Sequence, residues 1–204
     1  NAYFEAAMKP NAPLVESLFE EMKARIKEDD ASVPQKDGDW LYWVEYDKGA
    51  QYKKWYRKPV AGGDSELLLD ETELAKDKEY FRLSDVAVSP NGKYLAYSTA
   101  ASGSDWNEIR VRDIESGKDV ADHIKWVKFS NTAWLHDGSG FFYSRYDAPT
   151  EGNKLANKNE YHKVYYHKIG TPQSEDRLIH EVAAEPKWFV RGGATDDGRH
   201  LVIT

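Results

Sequence analysis

A short phrase returns four times along this chain, and a chain so punctuated has to fold as a series of hairpins. It reads Asp37-Gly38-Asp39-Trp40-Leu41-Tyr42-Trp43, then Asn91-Gly92-Lys93-Tyr94-Leu95-Ala96-Tyr97. It comes back as Asp137-Gly138-Ser139-Gly140-Phe141-Phe142-Tyr143 and as Asp197-Gly198-Arg199-His200-Leu201-Val202-Ile203. Each copy is Asx-Gly, two variable residues, then an apolar residue that repeats two positions on. Asx-Gly pairs favour the positive φ angles of tight hairpin turns, and period-2 apolarity marks a half-buried strand. The glycines stand 54, 46 and 60 residues apart, close to the period of propeller blades. The expected fold is therefore all-β: a partial β-propeller of about three and a half four-stranded antiparallel blades, out of seven, preceded by an amphipathic α-helix.

Composition narrows the class without naming a function. With 204 residues, 40% of them hydrophobic, the chain can fill a core. Its 13 Tyr, 7 Trp and 7 Phe favour sheet over helix. The formal net charge is −7 and the charges are interspersed, which argues against a nucleic-acid partner. Lys53, Lys54, Arg57 and Lys58 are the densest basic cluster, with Trp55 and Tyr56 inside it. Such interleaving can bind single strands, but on an acidic chain with a strand pattern it reads as a solvated face. No apolar run approaches the roughly 20 residues of a membrane span, so no membrane partner is expected. No cysteine is present, which excludes disulfides and thiolate chemistry. The expected compartment is the cytoplasm, with the bacterial periplasm as the alternative.

Residues 3–30 carry a different pattern. Leu14, Leu18, Met22, Arg25 and Ile26 recur at helical spacing with Phe19 beside them, opposite Glu16, Glu20, Lys23 and Lys27. Pro10 and Pro13 predict a break with the main helix starting near Pro13, and Asp29-Asp30 with Pro34 end it. The apolar face is expected to pack on its own domain. The partition is thus a helical segment over 1–32 and blades 1 to 4 over 33–204, with the fourth blade incomplete. The first unit reads as strands 40–46, 53–58 and 66–70; the second as 86–89, 94–99, 108–114 and 120–126. The third reads as 128–135 and 141–146, a polar segment over 147–161, then 163–169 and 177–182. The fourth has only 189–194 and 199–204. Three and a half blades leave open edges, so the expectation is a chain cut from a longer one.

The search for chemistry comes up empty. No Gly-x-Ser-x-Gly elbow occurs, and Gly138-Ser139-Gly140 sits in a hairpin turn. Ser139 has His136 and Asp137 beside it, but three residues of one tight turn cannot align as a triad. No catalytic residue is therefore assigned, and no metal site or cofactor is expected. The histidines (123, 136, 162, 167, 180 and 200) show no ligand spacing and read as surface or strand-pairing residues. His162 and His167 would face opposite sides of a strand. Asp105-Trp106 and Trp126-Val127-Lys128-Phe129 are the aromatic stretches with most to offer beyond packing. Phe142 alternates with Phe141 and Tyr143, so it points away from their buried face, towards a groove, a neighbouring blade or a second domain.

Longer runs resemble a known family. Leu83-Ser84-Asp85-Val86-Ala87-Val88-Ser89-Pro90-Asn91-Gly92, Gly103-Ser104-Asp105-Trp106 and Lys125-Trp126-Val127-Lys128-Phe129-Ser130 are similar to the prolyl oligopeptidase family of serine peptidases. So are Gly140-Phe141-Phe142-Tyr143-Ser144-Arg145-Tyr146, Gly170-Thr171-Pro172-Gln173-Ser174-Glu175-Asp176 and Glu185-Pro186-Lys187-Trp188. Residues 83–204 look like prolyl oligopeptidase itself, whereas residues 1–80, with Tyr46-Asp47-Lys48-Gly49-Ala50-Gln51-Tyr52, look closer to the oligopeptidase B branch. The resemblance implies a seven-bladed propeller that gates an α/β-hydrolase domain carrying a Ser-Asp-His triad. It implies short peptide substrates, cleaved after proline or, in the second branch, after basic residues. None of the triad matches residues 1–204, so the chain alone should be inactive, with the absent α/β-hydrolase domain as its partner. The family's usual segment before Asn1 has no counterpart, which extends the expectation of a cut chain to both ends. One substrate-binding position carries over: Phe142 matches a phenylalanine lining the distal substrate pocket. The alternative reading is a non-catalytic propeller binding module.

Overall fold

The computed structural model describes residues 1–149 and 158–204. It divides into two compact units, Asn1–Thr72 and Glu73–Thr204. In the first, helix α1 (Ala2–Met8) runs through a single 3-10 turn at Lys9–Asn11 into α2 (Ala12–Ala24). Pro10 therefore tightens the helix locally instead of breaking it, and Pro13 lies in the first turn of α2, where its missing N–H has no helical partner to lose. The helix stops at Arg25, well short of Asp29-Asp30. The Arg25 amide donates to the Met22 carbonyl at 3.2 Å and the Ile26 amide to the Lys23 carbonyl at 3.0 Å, and the Arg25 guanidinium pairs with Glu21 one turn earlier. The expected packing of the apolar face is not found. No residue of α1 or α2 is buried, and Leu14, Leu18 and Met22 are 59%, 47% and 61% exposed.

The same unit holds one antiparallel sheet in the order β1 (Gln35–Asp37), β2 (Trp40–Tyr46), β3 (Lys53–Pro59), β4 (Glu66–Asp70). A short helix, α3 (Glu71–Ala75), follows β4. The basic cluster on β3 is less solvated than expected. Arg57 is buried, lies 3.8 Å from the Trp40 ring centroid, and donates to Glu66 at 2.8 Å. A buried guanidinium needs such a partner, and a stacked ring below it completes the enclosure.

The second unit contains two further four-stranded sets. The first is β5 (Arg82–Val88), β6 (Tyr94–Ala100), β7 (Asn107–Asp113) and β8 (Lys118–Val127). The second is β9 (Ala133–Trp134), β10 (Gly140–Arg145), β11 (Lys163–Lys168) and β12 (Arg177–Glu181). Residues 150–157 of the polar segment before β11 lie outside the described residues. A single pair, Val127 with Arg145, joins the two sets into one continuous sheet. Trp126, just before it, has φ +63°, a kink that turns the end of β8 towards the next set. Two more strands, β13 (Gly192–Ala194) and β14 (Leu201–Ile203), form a hairpin. Ile109, Val111, Ile124, Trp134, Phe141 and Tyr143 belong to the main apolar core of this unit.

The repeated Asx-Gly phrases close these hairpins through one device. In three copies the Asx side-chain oxygen accepts the amide two residues on: Asn91 from Lys93 at 3.1 Å, Asp137 from Ser139 at 2.9 Å, Asp197 from Arg199 at 3.1 Å. The following glycines take φ of +70°, +71° and +66°, whereas the Asx residues do not take positive φ. These are four-residue loops with one left-handed glycine, not the two-residue turn that an Asx-Gly pair predicts. Adjacent hairpins are then bonded to one another. Asn91 Nδ2 donates to the Asp137 carbonyl at 2.9 Å, and Trp134 Nε1 donates to the Ala87 carbonyl at 3.0 Å. The Thr132 amide donates to Asp85 at 2.8 Å, and burial pushes the Asp85 carboxyl above its usual range. These bonds span 46 or 47 residues, matching the 46-residue interval between Gly92 and Gly138.

Gly138 tests this seam against Gly117, which has a similar positive φ of +66°. Alanine at either position carries left-handed strain of about 1–2 kcal/mol. A Cβ on Gly138 would also fall 2.3 Å from Asn91 Nδ2, whereas one on Gly117 meets nothing within 4 Å. Gly138→Ala is expected to lower urea-unfolding stability by about 1 kcal/mol more than Gly117→Ala, the value of one displaced hydrogen bond. Equal losses would show that the two hairpins do not bear on one another.

Candidate functional site

Phe142 lies in the middle of β10 and is 9% exposed. Strand alternation places Phe141 and Tyr143 in the main core and Phe142 in a second cluster with Ala133, Val164 and Val190. Leu201 and Ile203 of β14 pack against that cluster, and the Tyr166 ring lies 5.4 Å away. Of the three surroundings open to it in the sequence, Phe142 therefore faces the neighbouring hairpin. Gly192 allows the approach: a Cβ there would come within 3.5 Å of the Phe142 Cβ and within 3.2 Å of Val164.

On the other face of β10 the chain builds a buried polar cluster that its sequence did not announce. Of the two expected states, surface or strand-pairing, His167 takes the second: it pairs with Phe141, is fully buried, and both ring nitrogens meet carboxylates, Nδ1 2.6 Å from Asp176 and Nε2 2.8 Å from Asp122. With an acceptor at each nitrogen, the ring fits as an imidazolium donating twice. Burial alone would lower its pKa, but the hydrogen bonds with Asp176 and Asp122 outweigh burial and raise it. Tyr143 donates its hydroxyl to Asp176 at 2.6 Å, and the Gly170 amide donates to Asp122 at 2.7 Å. Since Asp122 sits on β8, this cluster ties the two four-stranded sets together beneath the core. The equivalent tyrosine of the previous set, Tyr97, donates to Asp119 at 2.6 Å, so a Tyr–Asp bond recurs with the repeat.

His162 is buried too, in a different chemical state. Its Nε2 lies 2.9 Å from the Lys128 carbonyl, and its Nδ1 accepts the Val190 amide at 3.1 Å. One nitrogen faces an acceptor and the other a donor, which fixes a neutral ring with the proton on Nε2. Burial and the nearby Arg191 hold its pKa below the ordinary value. Around it gather Tyr146, Phe189 and Phe129, with Lys128 against Trp106. The aromatic stretches singled out in the sequence thus converge on one end of β8 and β10.

The apparent Ser139–His136–Asp137 triad is turn chemistry: the Asp137 carboxylate caps the Ser139 amide, and Gly198 abuts the His136 side chain. Among the described residues, no group of three or more His, Asp or Glu side chains could hold a metal ion. No helix of the described residues is long and apolar enough to cross a membrane.

Successive four-stranded antiparallel sets bonded to one another at their first hairpins are the blades of a propeller. The family model for the N-terminal β-propeller domain of prolyl oligopeptidase matches residues 1–204. The chain belongs to the prolyl oligopeptidase family. It is 39% identical, over 85% of its length, to a prolyl endopeptidase of Elizabethkingia miricola, of which it covers 24%. It is 31% identical over 97% of its length to dipeptidyl aminopeptidase BI of Pseudoxanthomonas mexicana, covering 28% of that protein. Among solved structures, oligopeptidase B of Leishmania major superposes with a TM-score of 0.85 at 25% identity, over 99% of this chain and 28% of the other. Prolyl oligopeptidase B of Galerina marginata, bound to a 25mer macrocyclization substrate, gives 0.85 at 26% identity, over 99% of this chain and 30% of the other. The chain thus spans about a quarter of the length of the curated relatives it matches.

The two buried histidines give opposite pH effects. His162, with its pKa held below the 6.5 of a free ring, stabilises the fold above that pH and loses the contribution as acid protonates Nδ1. His167, with its pKa raised, contributes fully below 6.5 and loses the contribution as pH rises through its folded pKa. In nitrogen NMR at pH 6.5, the ordinary value for a free ring, His162 should be mostly neutral with the proton on Nε2 while His167 is mostly doubly protonated. Finding both in the same state would contradict the assigned hydrogen bonds.

Proposed function

We propose that this chain is the propeller portion of a serine oligopeptidase that cleaves short peptides after proline, and that its task is to gate substrate and wall part of the pocket. The observation that carries the reading is the match of all 204 residues to the family's propeller domain, with a prolyl endopeptidase as a 39%-identical relative. In this reading residues 33–204 are blades 1 to 4 and residues 1–32 the segment leading into them. The uncovered apolar face of α2, with Leu14, Leu18 and Met22, receives the α/β-hydrolase domain. A face of that kind left in water has no driving force to stay ordered, so a covering partner accounts for it.

Positioned nucleophile, base and oxyanion donors supply most of the rate enhancement in acyl transfer. The 204-residue chain alone should therefore leave a Gly-Pro reporter peptide intact. The full-length enzyme should cleave it in preference to an Arg-Arg reporter. Cleavage by the pure fragment, blocked by a serine-directed inhibitor, would overturn the reading, and preference for Arg-Arg would move it to the oligopeptidase B branch.

Phe142 is the residue we assign to the substrate pocket, on the strength of its position in the family resemblance. Its packing against β14 supports a second role, as a wedge between blades. Substitution to alanine would then cost about 3–5 kcal/mol of stability whatever its part in binding. The deciding measurement is therefore a ratio. In the full-length enzyme, Phe142→Ala should cut kcat/KM for peptides reaching the third residue before the scissile bond by about tenfold to a hundredfold, the loss of an aromatic wall. Dipeptide reporters should lose far less. Equal losses would leave Phe142 with the packing role alone.

A further inference from the structure

We infer that Lys128 is the receiving group of a carboxylate-binding site at the end of β8 and β10 remote from the Asx-Gly hairpins, taking the α-carboxylate or an acidic side chain of a peptide. Lys128 is 9% exposed, with Nζ 4.7 Å from the Trp106 ring centroid and 5.6 Å from that of Phe129. Its Nζ makes a hydrogen bond to Asn159 Oδ1 at 3.3 Å, although an ammonium carries three donors. Among the described residues no carboxylate pairs with it. Two acids on adjoining segments are engaged elsewhere, Asp105 with Arg82 at 3.4 Å and Asp147 with Lys163 at 2.7 Å. A cation taken out of water in this way is costly unless an anion arrives to meet it.

Backbone strain converges on the same place. Five described residues other than glycine have positive φ, and four of them, Asp105, Trp126, Phe129 and Tyr161, adjoin Lys128 or the residues that contact it. Asp105 precedes Trp106, Trp126 packs edge-on to the Trp106 ring at 5.7 Å, and Tyr161 precedes the histidine bonded to the Lys128 carbonyl. Left-handed aromatic residues are expensive, and such strain collects where a site has to be held in shape. Arg191 supplies a second cation at the rim. It is exposed, and its Nε donates to the Phe129 carbonyl at 3.1 Å. Phe129 and Phe189, ring centroids 5.2 Å apart, offer an apolar wall for the residue that bears the carboxylate. That the ligand is a peptide rests on the peptidase reading; the carboxylate chemistry does not.

The test uses the 204-residue chain and three probes: N-acetyl-Gly-Phe with a free carboxylate, its C-terminal amide, and N-acetyl-Asp-Phe amide. Tryptophan fluorescence or NMR titration should show at least one acid probe binding about tenfold or more tighter than the neutral amide. The tighter of the two acids identifies which carboxylate is taken. Lys128→Met should abolish the preference, Lys128→Arg should retain it, and Arg191→Gln should weaken it by about threefold. Equal binding of acids and amide, no binding of either acid up to about 50 mM, or a preference that survives Lys128→Met would overturn the assignment. If Lys128→Met does not fold, the acid-against-amide comparison with Arg191→Gln decides. None of these readouts involves hydrolysis, so their failure leaves the peptidase reading intact, and failure of that reading leaves them unchanged.

Discussion

The second unit depends on the capped hairpin. A four-residue loop is held by an Asx oxygen on the amide two residues on, and the glycine beside it clears the way for the previous loop. Everything inward follows from that placement. With the loops of two sets in contact, Trp134 reaches the Ala87 carbonyl and stacks 6.4 Å from the Tyr94 ring. Asp85 is then buried far enough to require the Thr132 amide. Main-chain acceptors do most of this joining, and a main-chain acceptor is present whatever the side chain is. The seam can therefore recur in a repeat whose apolar residues vary freely.

How much of this was legible depended on whether it had a period. The apolar alternation after each Asx-Gly marked β2, β6, β10 and β14, and Phe142 was placed on the correct face by parity alone. The strand β1 was missed because Gln35-Lys36-Asp37 are all exposed and polar, so its only signal is pairing with β2. The helix end was misplaced because Arg25, Ile26 and Lys27 are adequate helix formers. What stops the helix is its last-turn geometry, not a breaker residue. The helix pattern itself was real, but amphipathicity says only that a face wants cover, not where the cover comes from.

The polar sites were harder to read for a different reason. Nothing near His167 in sequence shows that Asp122, 45 residues away, will meet its ring. The neutral state of His162 is set by two backbone groups, Lys128 O and Val190 N–H, which no side-chain pattern encodes. Lys128 lies inside the aromatic stretch Trp126–Phe129, yet its Nζ also meets the ring of Trp106, a residue that leads into another strand. Local motifs report local geometry. Charge states inside a sheet are decided by whichever strand arrives from elsewhere.

The four Asx-Gly phrases differ in one atom that has a chemical consequence. Three begin with aspartate and one with Asn91. That asparagine uses its amide nitrogen to reach the next hairpin. Asparagine before glycine is the pair most prone to slow deamidation, in which the following backbone nitrogen attacks the side-chain carbonyl, ammonia leaves, and water opens the ring. Here the attacking nitrogen, Gly92 N, is bound to the Ser89 carbonyl at 2.7 Å for as long as the hairpin is closed. The closed hairpin thus holds the reacting nitrogen in a hydrogen bond. If the hairpin opens long enough to react, the donor becomes a carboxylate facing the Asp137 carbonyl, and an attraction between two blades becomes a repulsion.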